Sequence, residues 1–138
     1  LASSLPEYNT VMGLKGVGPT FGPQLIAEIG DITRFSHREA LTAYAGVDPG
    51  VNGSGSFKSK SNGASKCGSS RLRKTLYLIM VSLLQTKPLD DPVYRFLDKK
   101  RMEGKPYHVY MTAGANKFLR IYYGTVKAYF RSLEKPEI

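Results

Sequence analysis

From Gly50 to Leu76 the chain reads GVNGSGSFKSKSNGASKCGSSRLRKTL, crowded with serine, glycine, lysine and arginine and without a carboxylate. Most of this stretch offers a core little to bury, and ordering its glycines is entropically costly. The alternation around Phe57 is too brief for a confident strand, so an extended basic loop is expected here, with at most a small hairpin. Taken alone, the composition is that of a linker. The rest of the fold must come from the apolar, periodic segments on either side.

Those segments read as helices. Leu5, Tyr8, Val11, Met12 and Leu14 suit a short helix opened by Pro6, followed by the glycine turn Lys15-Gly16-Val17-Gly18-Pro19. Phe21, Leu25, Ile26 and Ile29 recur at helical spacing, with Pro19 in the first turn and Gly30 as a stop. Ser36 and Glu39 form a capping-box pattern before a helix through Leu41 and Tyr44, and Gly46 ends it. Asp48-Pro49-Gly50 is turn chemistry. From Ser70 the residues Leu72, Leu76, Ile79 and Leu83 fall on one helical face, and Lys87-Pro88 closes the segment. Pro92 to Met102 is a further helix, with Val93, Phe96 and Leu97 inward. The last helix runs from about Tyr110 to Leu133. Its apolar stripe is Phe118, Tyr122, Val126, Tyr129, Phe130 and Leu133, with Lys117, Arg120, Lys127 and Arg131 mostly opposite. The expected fold is mainly α: a small helical domain with a hairpin-like element at 5–30, a basic serine loop at 46–70 and a helical core at 70–133.

With 138 residues, of which 41% are hydrophobic, the chain suits one domain with a real core. The richest apolar run, Leu76 to Leu84, is short and broken by Ser82, so no membrane partner is expected. Cys67 is the single cysteine, which excludes an intrachain disulfide and a Cys-based zinc cluster and suits a reducing cytoplasm. The formal charge of +9 favours a polyanionic partner. Its layout is more telling: no Asp or Glu lies between Asp48 and Asp90, while Lys58, Lys60, Lys66, Arg71, Arg73, Lys74 and Lys87 all do. Such a block repels itself unless counter-charges such as phosphates arrive.

Two constellations bear on chemistry. Leu14-Lys15-Gly16-Val17-Gly18-Pro19 resembles a helix-hairpin-helix motif, a sequence-independent DNA-binding element. Gly16 and Gly18 would let the backbone approach a phosphate, donor N–H groups of the next helix would point outward, and Lys15 adds a cation. The chain departs from the usual pattern with Lys15 where proline is frequent, and with Gly22-Pro23 where an alanine usually packs the two helices. A plain glycine turn without ligand is the competing reading.

The second constellation runs in order through Tyr44-Ala45-Gly46-Val47-Asp48-Pro49, Ser54-Gly55, Lys66-Cys67-Gly68 and Leu72-Arg73. Preceded by the hairpin segment, this order resembles the C-terminal domain of insertion-sequence transposases whose N-terminal half is a DEDD-type, resolvase-like nuclease domain. That family is associated with a bridge RNA and includes site-specific invertases. The resemblance covers roughly Leu5 to Leu133. It implies a DNA transposase or recombinase in which Ser54 is the nucleophile that attacks a DNA phosphodiester. It further implies DNA and a guide RNA as partners, a homo-oligomer, and a divalent metal, Mg2+, held by an upstream domain rather than by this one. The opening residues, LASSLPEYN, likewise read like the middle of a longer protein.

The residue chemistry is compatible with that role. An alcohol attacks phosphorus when charge on the equatorial oxygens is neutralised, and Lys58, Lys60, Lys66, Arg71 and Arg73 are the candidate cations, with Lys74 a further candidate nucleic-acid contact. Gly53 and Gly55 leave room for a phosphate beside Ser54. Asp90 and Asp91 suit helix capping better than metal binding. His37, His108 and Cys67 are expected to be incidental, and Tyr110, Phe118, Tyr122 and Tyr129 to pack in a core more readily than to stack on bases. Two other readings compete: a non-catalytic helix-hairpin-helix module of a repair or replication protein, and a structural RNA-binding protein. Only the transposase reading gives the Ser-Gly pair a use.

Overall fold

The computed structural model describes residues 7–48 and 69–134. Among them are α1 (Tyr8–Met12), α2 (Gly18–Ile29), a 3-10 turn (Ile32–Arg34), α3 (Arg38–Ala45), α4 (Ser70–Thr86), α5 (Pro92–Met102) and α6 (Tyr107–Glu134). No strand occurs among these residues, so the expectation of a mainly α domain holds.

The 28-residue α6 is roughly 42 Å long at 1.5 Å per residue, and it organises the rest. The helices α1, α3, α4 and α5 and the 3-10 turn all pack against it. In contrast, α2 packs on α1 and α4. The core joins Leu25, Ile26 and Ile29 of α2 to Leu72, Leu76, Ile79, Met80 and Leu83 of α4, and these to Met111, Ala115, Phe118, Leu119 and Tyr122 of α6. Gly114 marks the tightest point. A Cβ there would collide with Leu97 Cδ2 of α5 and stand 3.1 Å from Met80 Sδ of α4. Glycine is what lets the three helices approach so closely.

Helix ends follow local chemistry. Asp91 Oδ2 accepts from the N–H groups of Val93 and Tyr94 at 3.0 and 2.9 Å, so Asp91 caps α5 as expected. Lys87 ends α4 in the left-handed region (φ 50°). Gly46 does the same for α3 (φ 75°). The start of α3 differs from expectation, because its cap is His37 rather than Ser36. His37 is extended, and its Nδ1 accepts from the Ala40 N–H at 3.2 Å. The helix therefore begins one residue later than a Ser36–Glu39 box requires, and an imidazole lone pair replaces the hydroxyl.

Three further expectations need correction. The last helix begins at Tyr107, not Tyr110: the Pro106 carbonyl accepts from Val109 and Tyr110, and proline lacks only an N–H that a helix start leaves unpaired anyway. In α5 the buried flank is Tyr94, while Phe96 is half-exposed. Tyr94 and Phe96 lie on opposite sides of the Val93–Leu97 line, and periodicity alone does not choose between them. In α6 the stripe is buried at Phe118, Tyr122 and Val126 but fades at Tyr129 and Phe130. Leu133 is 56% exposed, since among the described residues no element receives that end of the helix. Tyr110, Phe118 and Tyr122 are core residues, as favoured over base stacking.

Candidate nucleic-acid interface

The hairpin between α1 and α2 combines an exposed Lys15 with two glycines of positive φ, Gly16 at 84° and Gly18 at 62°. The two glycines do different things. A Cβ on Gly16 would stand 2.9 Å from Leu83 Cγ and 3.2 Å from Ile79 Cγ2, so this glycine seats the turn on α4. A Cβ on Gly18 would meet nothing within 4 Å, so this glycine faces open space. No side chain caps α2, and Pro19 has no N–H to offer. The N–H groups of Gly18 and Thr20 thus stand at a bare helix N-terminus, where the macrodipole favours an anion. Gly22, where an alanine was the usual residue, is buried, and a Cβ there would collide with Met12 Sδ. The Met12 side chain occupies the space that an alanine methyl would take.

The start of α4 is built in the opposite way. Ser69 caps it, its Oγ accepting from the Leu72 N–H at 2.9 Å and donating to Glu28 Oε1 of α2 at 3.1 Å. The Ser69 N–H also donates to the Tyr44 carbonyl of α3 at 2.8 Å. On the preceding side of the segment 49–68, Val47 is fully buried and its carbonyl accepts from Asn116 Nδ2 of α6 at 3.1 Å. Asp48 Oδ1 accepts from Thr42 Oγ1 at 3.4 Å. The chain therefore leaves and re-enters the described fold at one place, the junction of α3, α4 and α6.

The first turns of α4 carry Arg71, Arg73 and Lys74 and no acid, an arrangement that opposes the helix dipole by a few tenths to about 1 kcal/mol per charge. The three cations have separate fates. Arg73 Nη1 donates to the Ala45 carbonyl at 3.2 Å and covers Gly46, compensating the C-terminus of α3. Arg71 is exposed and stands 3.9 Å from Glu28 Oε2. Lys74 is exposed and has no carboxylate within 4.0 Å among the described residues. Arg71 and Lys74 share a groove between α4 and α2 with Gln24 and Glu28. At the other end of the same helix pair, Gly16 to Phe21 face Ser82 and Thr86. So α2 and α4 run antiparallel, and the hairpin and the basic start of α4 lie about 15 Å apart at opposite ends of one face. Glu28 is the only acid on either helix.

Of the residues singled out from the sequence, Lys15, Gly16 and Gly18 gather at one end of that face and Arg71 and Lys74 at the other, while Arg73 turns to the α3 terminus. Ser54, Gly55, Lys58, Lys60 and Lys66 lie outside the described residues. Sequence reasoning missed Glu28, which holds both Ser69 and Arg71. Its one signal was being the sole carboxylate on two helices. Among the described residues no group of three or more His, Cys, Asp or Glu side chains converges as a metal site would require. None of the described helices is long and apolar enough to cross a membrane.

Residues 8–95, from α1 into the first turn of α5, match a protein-family model described as Transposase IS116/IS110/IS902 family. No curated protein and no solved structure matches the chain. The family match contains the hairpin, the α3 and α4 sides of the junction that holds the ends of segment 49–68, and the basic start of α4. This chain belongs to the IS116/IS110/IS902 family of transposases.

Proposed function

We propose that this domain supplies Ser54 as the nucleophile for DNA strand cleavage and transfer. The observation that carries the reading is the stitching of both ends of segment 49–68 at the α3–α4 junction, beside Arg71 and Lys74. A serine on a segment anchored in this way works within reach of cations that face solvent. In the reaction, Ser54 Oγ loses its proton to a base or to water and forms a bond to phosphorus. The bond from phosphorus to one deoxyribose oxygen breaks, and that oxygen takes up a proton. The resulting phosphoserine ester keeps the bond energy of the phosphodiester, so a hydroxyl of a second strand can attack it, reseal the backbone and return the serine. Lys58, Lys60, Lys66, Arg71 and Lys74 offset the charge on the equatorial oxygens. Arg73, occupied by the Ala45 carbonyl, instead fixes the return of the segment.

A divalent cation from the upstream nuclease-like domain of the resembled family would further neutralise the phosphate. The residues described here do not fit such a site, so no step of this domain runs through it. DNA is the substrate, a guide RNA selects it, and a homo-oligomer brings the exchanging strands together. The bare N-terminus of α2 and the open space at Gly18 also favour a second reading, in which the domain only binds phosphates.

Strand-transfer assays on the complete protein separate the two. Ser54→Ala removes one oxygen, so DNA affinity should stay within about twofold, and folding within about 0.5 kcal/mol, while transfer collapses. Ser56→Ala should transfer normally. If both variants transfer like the wild type, the serine mechanism is wrong and the binding-module reading replaces it.

A further inference from the structure

The position where helical periodicity failed, Phe96, has surroundings of its own. Its ring is half-exposed and is not among the partly buried apolar residues packed on the core. It lies under two ammonium groups instead, Lys100 Nζ at 5.6 Å and Lys117 Nζ at 5.7 Å from its centroid. Around it is a shallow depression of about 570 Å³ between α5 and α6, lined by Leu89, Pro92, Arg95, Phe96, Lys99 and Lys117. Leu89, on its rim, is 76% exposed.

The charges of this face do not cancel. Asp98 lines the depression but is bound by Arg101 at 2.5 Å. Glu103 is shared by Lys99 and Lys100 at 3.8 and 3.5 Å. Asp91 spends its Oδ2 on the cap of α5, and Asp90 is exposed at the edge. Arg95 and Lys117 have no carboxylate within 4.0 Å among the described residues. The surface thus offers one flat aromatic ring, exposed aliphatic neighbours and surplus positive charge. A core does not need that combination, and a nucleic-acid base joined to a phosphate does.

We propose that the depression around Phe96 binds unpaired nucleotides, one base stacking on the Phe96 ring while Arg95 and Lys117 meet the flanking phosphates. A paired duplex keeps its bases stacked on one another and cannot offer a face to the ring, so the surface distinguishes single-stranded from double-stranded nucleic acid. It lies on α5 and α6, away from the α2–α4 face, and residues 96–117 fall beyond the family match. The proposal does not depend on Ser54.

The test compares binding of an oligouridylate of about twelve nucleotides, a length within the range one such surface covers, with binding of a DNA duplex of the same length. Phe96→Ala should weaken oligouridylate binding by roughly five- to tenfold and leave duplex binding within about twofold. Phe96→Tyr keeps a stacking ring and should restore single-strand affinity, which a purely structural role would not explain if Phe96→Leu fails to restore it. Lys117→Gln should lower the salt slope for the single strand by about 0.7. Equal loss on both nucleic acids, or no loss with Phe96→Ala, overturns the proposal. So does an acidic peptide that displaces the oligouridylate at equal concentration, since the face would then be a protein-docking surface.

Discussion

The two ends of the α2–α4 pair are both starts of helices in basic surroundings, yet they are constructed oppositely. At the hairpin, α2 begins without a side-chain cap, and the glycine at its start faces empty space. At the other end, α4 begins with the Leu72 N–H tied by Ser69, which is itself held by Glu28 and Tyr44. An uncapped terminus leaves N–H groups for a ligand; a capped one fixes the path of the chain that enters it. The difference makes the hairpin the end of the pair with backbone donors open to an anion, and the α4 start the end at which Ser69 fixes the entry of the chain.

The sharpest way to break this comparison uses the two hairpin glycines. Gly16→Ala combines a φ of 84° with a collision against Leu83, and should cost about 2–3 kcal/mol, or roughly 8–15 °C in a thermal melt. Gly18→Ala meets no neighbour and should cost only about 1 kcal/mol, while weakening DNA binding in a filter or anisotropy assay. Equal melting losses would remove the distinction between a packing glycine and an open one. Next in size, Ser69→Ala removes the α4 cap and should lower stability by about 1 kcal/mol by denaturant titration, with the slope m unchanged.

The cations of α4 sharpen the comparison further. Lys74→Gln should reduce the salt dependence of duplex binding by about 0.9 and leave the melting temperature alone. Arg73→Gln should do the reverse, because its guanidinium serves the Ala45 carbonyl. If Arg73→Gln lowers the salt slope and Lys74→Gln does not, the assignment of the two is inverted.

The smallest effect is confined to alkaline solution and concerns the core that carries both ends. Burial, and then the negative charge of Glu7, push the Tyr122 phenol well above its ordinary value near 10. A raised value in the folded state gives stability that is complete below pH about 10 and is lost as pH rises, because the unfolded chain ionises first. Denaturant midpoints of the wild type should therefore fall above pH 10 more steeply than those of Tyr122→Phe. Parallel curves would mean that another group governs the alkaline limb.

Much of the fold was legible because its signals are local. Asp91, Gly46 and Lys87-Pro88 specify helix ends through their own backbone chemistry, and Leu72, Leu76, Ile79 and Leu83 define a face by spacing alone. Where local signals tie, the tertiary partner decides. Tyr94 and Phe96 are equivalent by spacing, and only the docking of α5 on α6 and α4 selects Tyr94 for burial. Leu133 belongs to the α6 pattern, but nothing among the described residues covers it. At the site, Lys15, Arg71 and Lys74 were visible as cations. The division of labour between Arg73 and Lys74 was not, since adjacent residues on a helix point about 100° apart, and Arg73 meets a carbonyl of α3 while Lys74 faces the groove shared with α2. Glu28 was hidden for the same reason: its partners are 41 and more residues away in the chain.

Ser54 is proposed to form a covalent bond to DNA, and the direct measurement is to trap that bond. The complete protein, supplied with a divalent cation, the guide RNA proposed above and end-labelled DNA, is quenched in denaturant and run on a denaturing gel. Labelled adduct is then digested and the modified peptide fragmented by mass spectrometry. The account predicts a labelled protein band in the wild type and in Ser56→Ala, its absence in Ser54→Ala, and a phosphoester located on the Ser54 oxygen. An adduct of undiminished intensity in Ser54→Ala, or a phosphoester mapped to another serine of the segment, would contradict it.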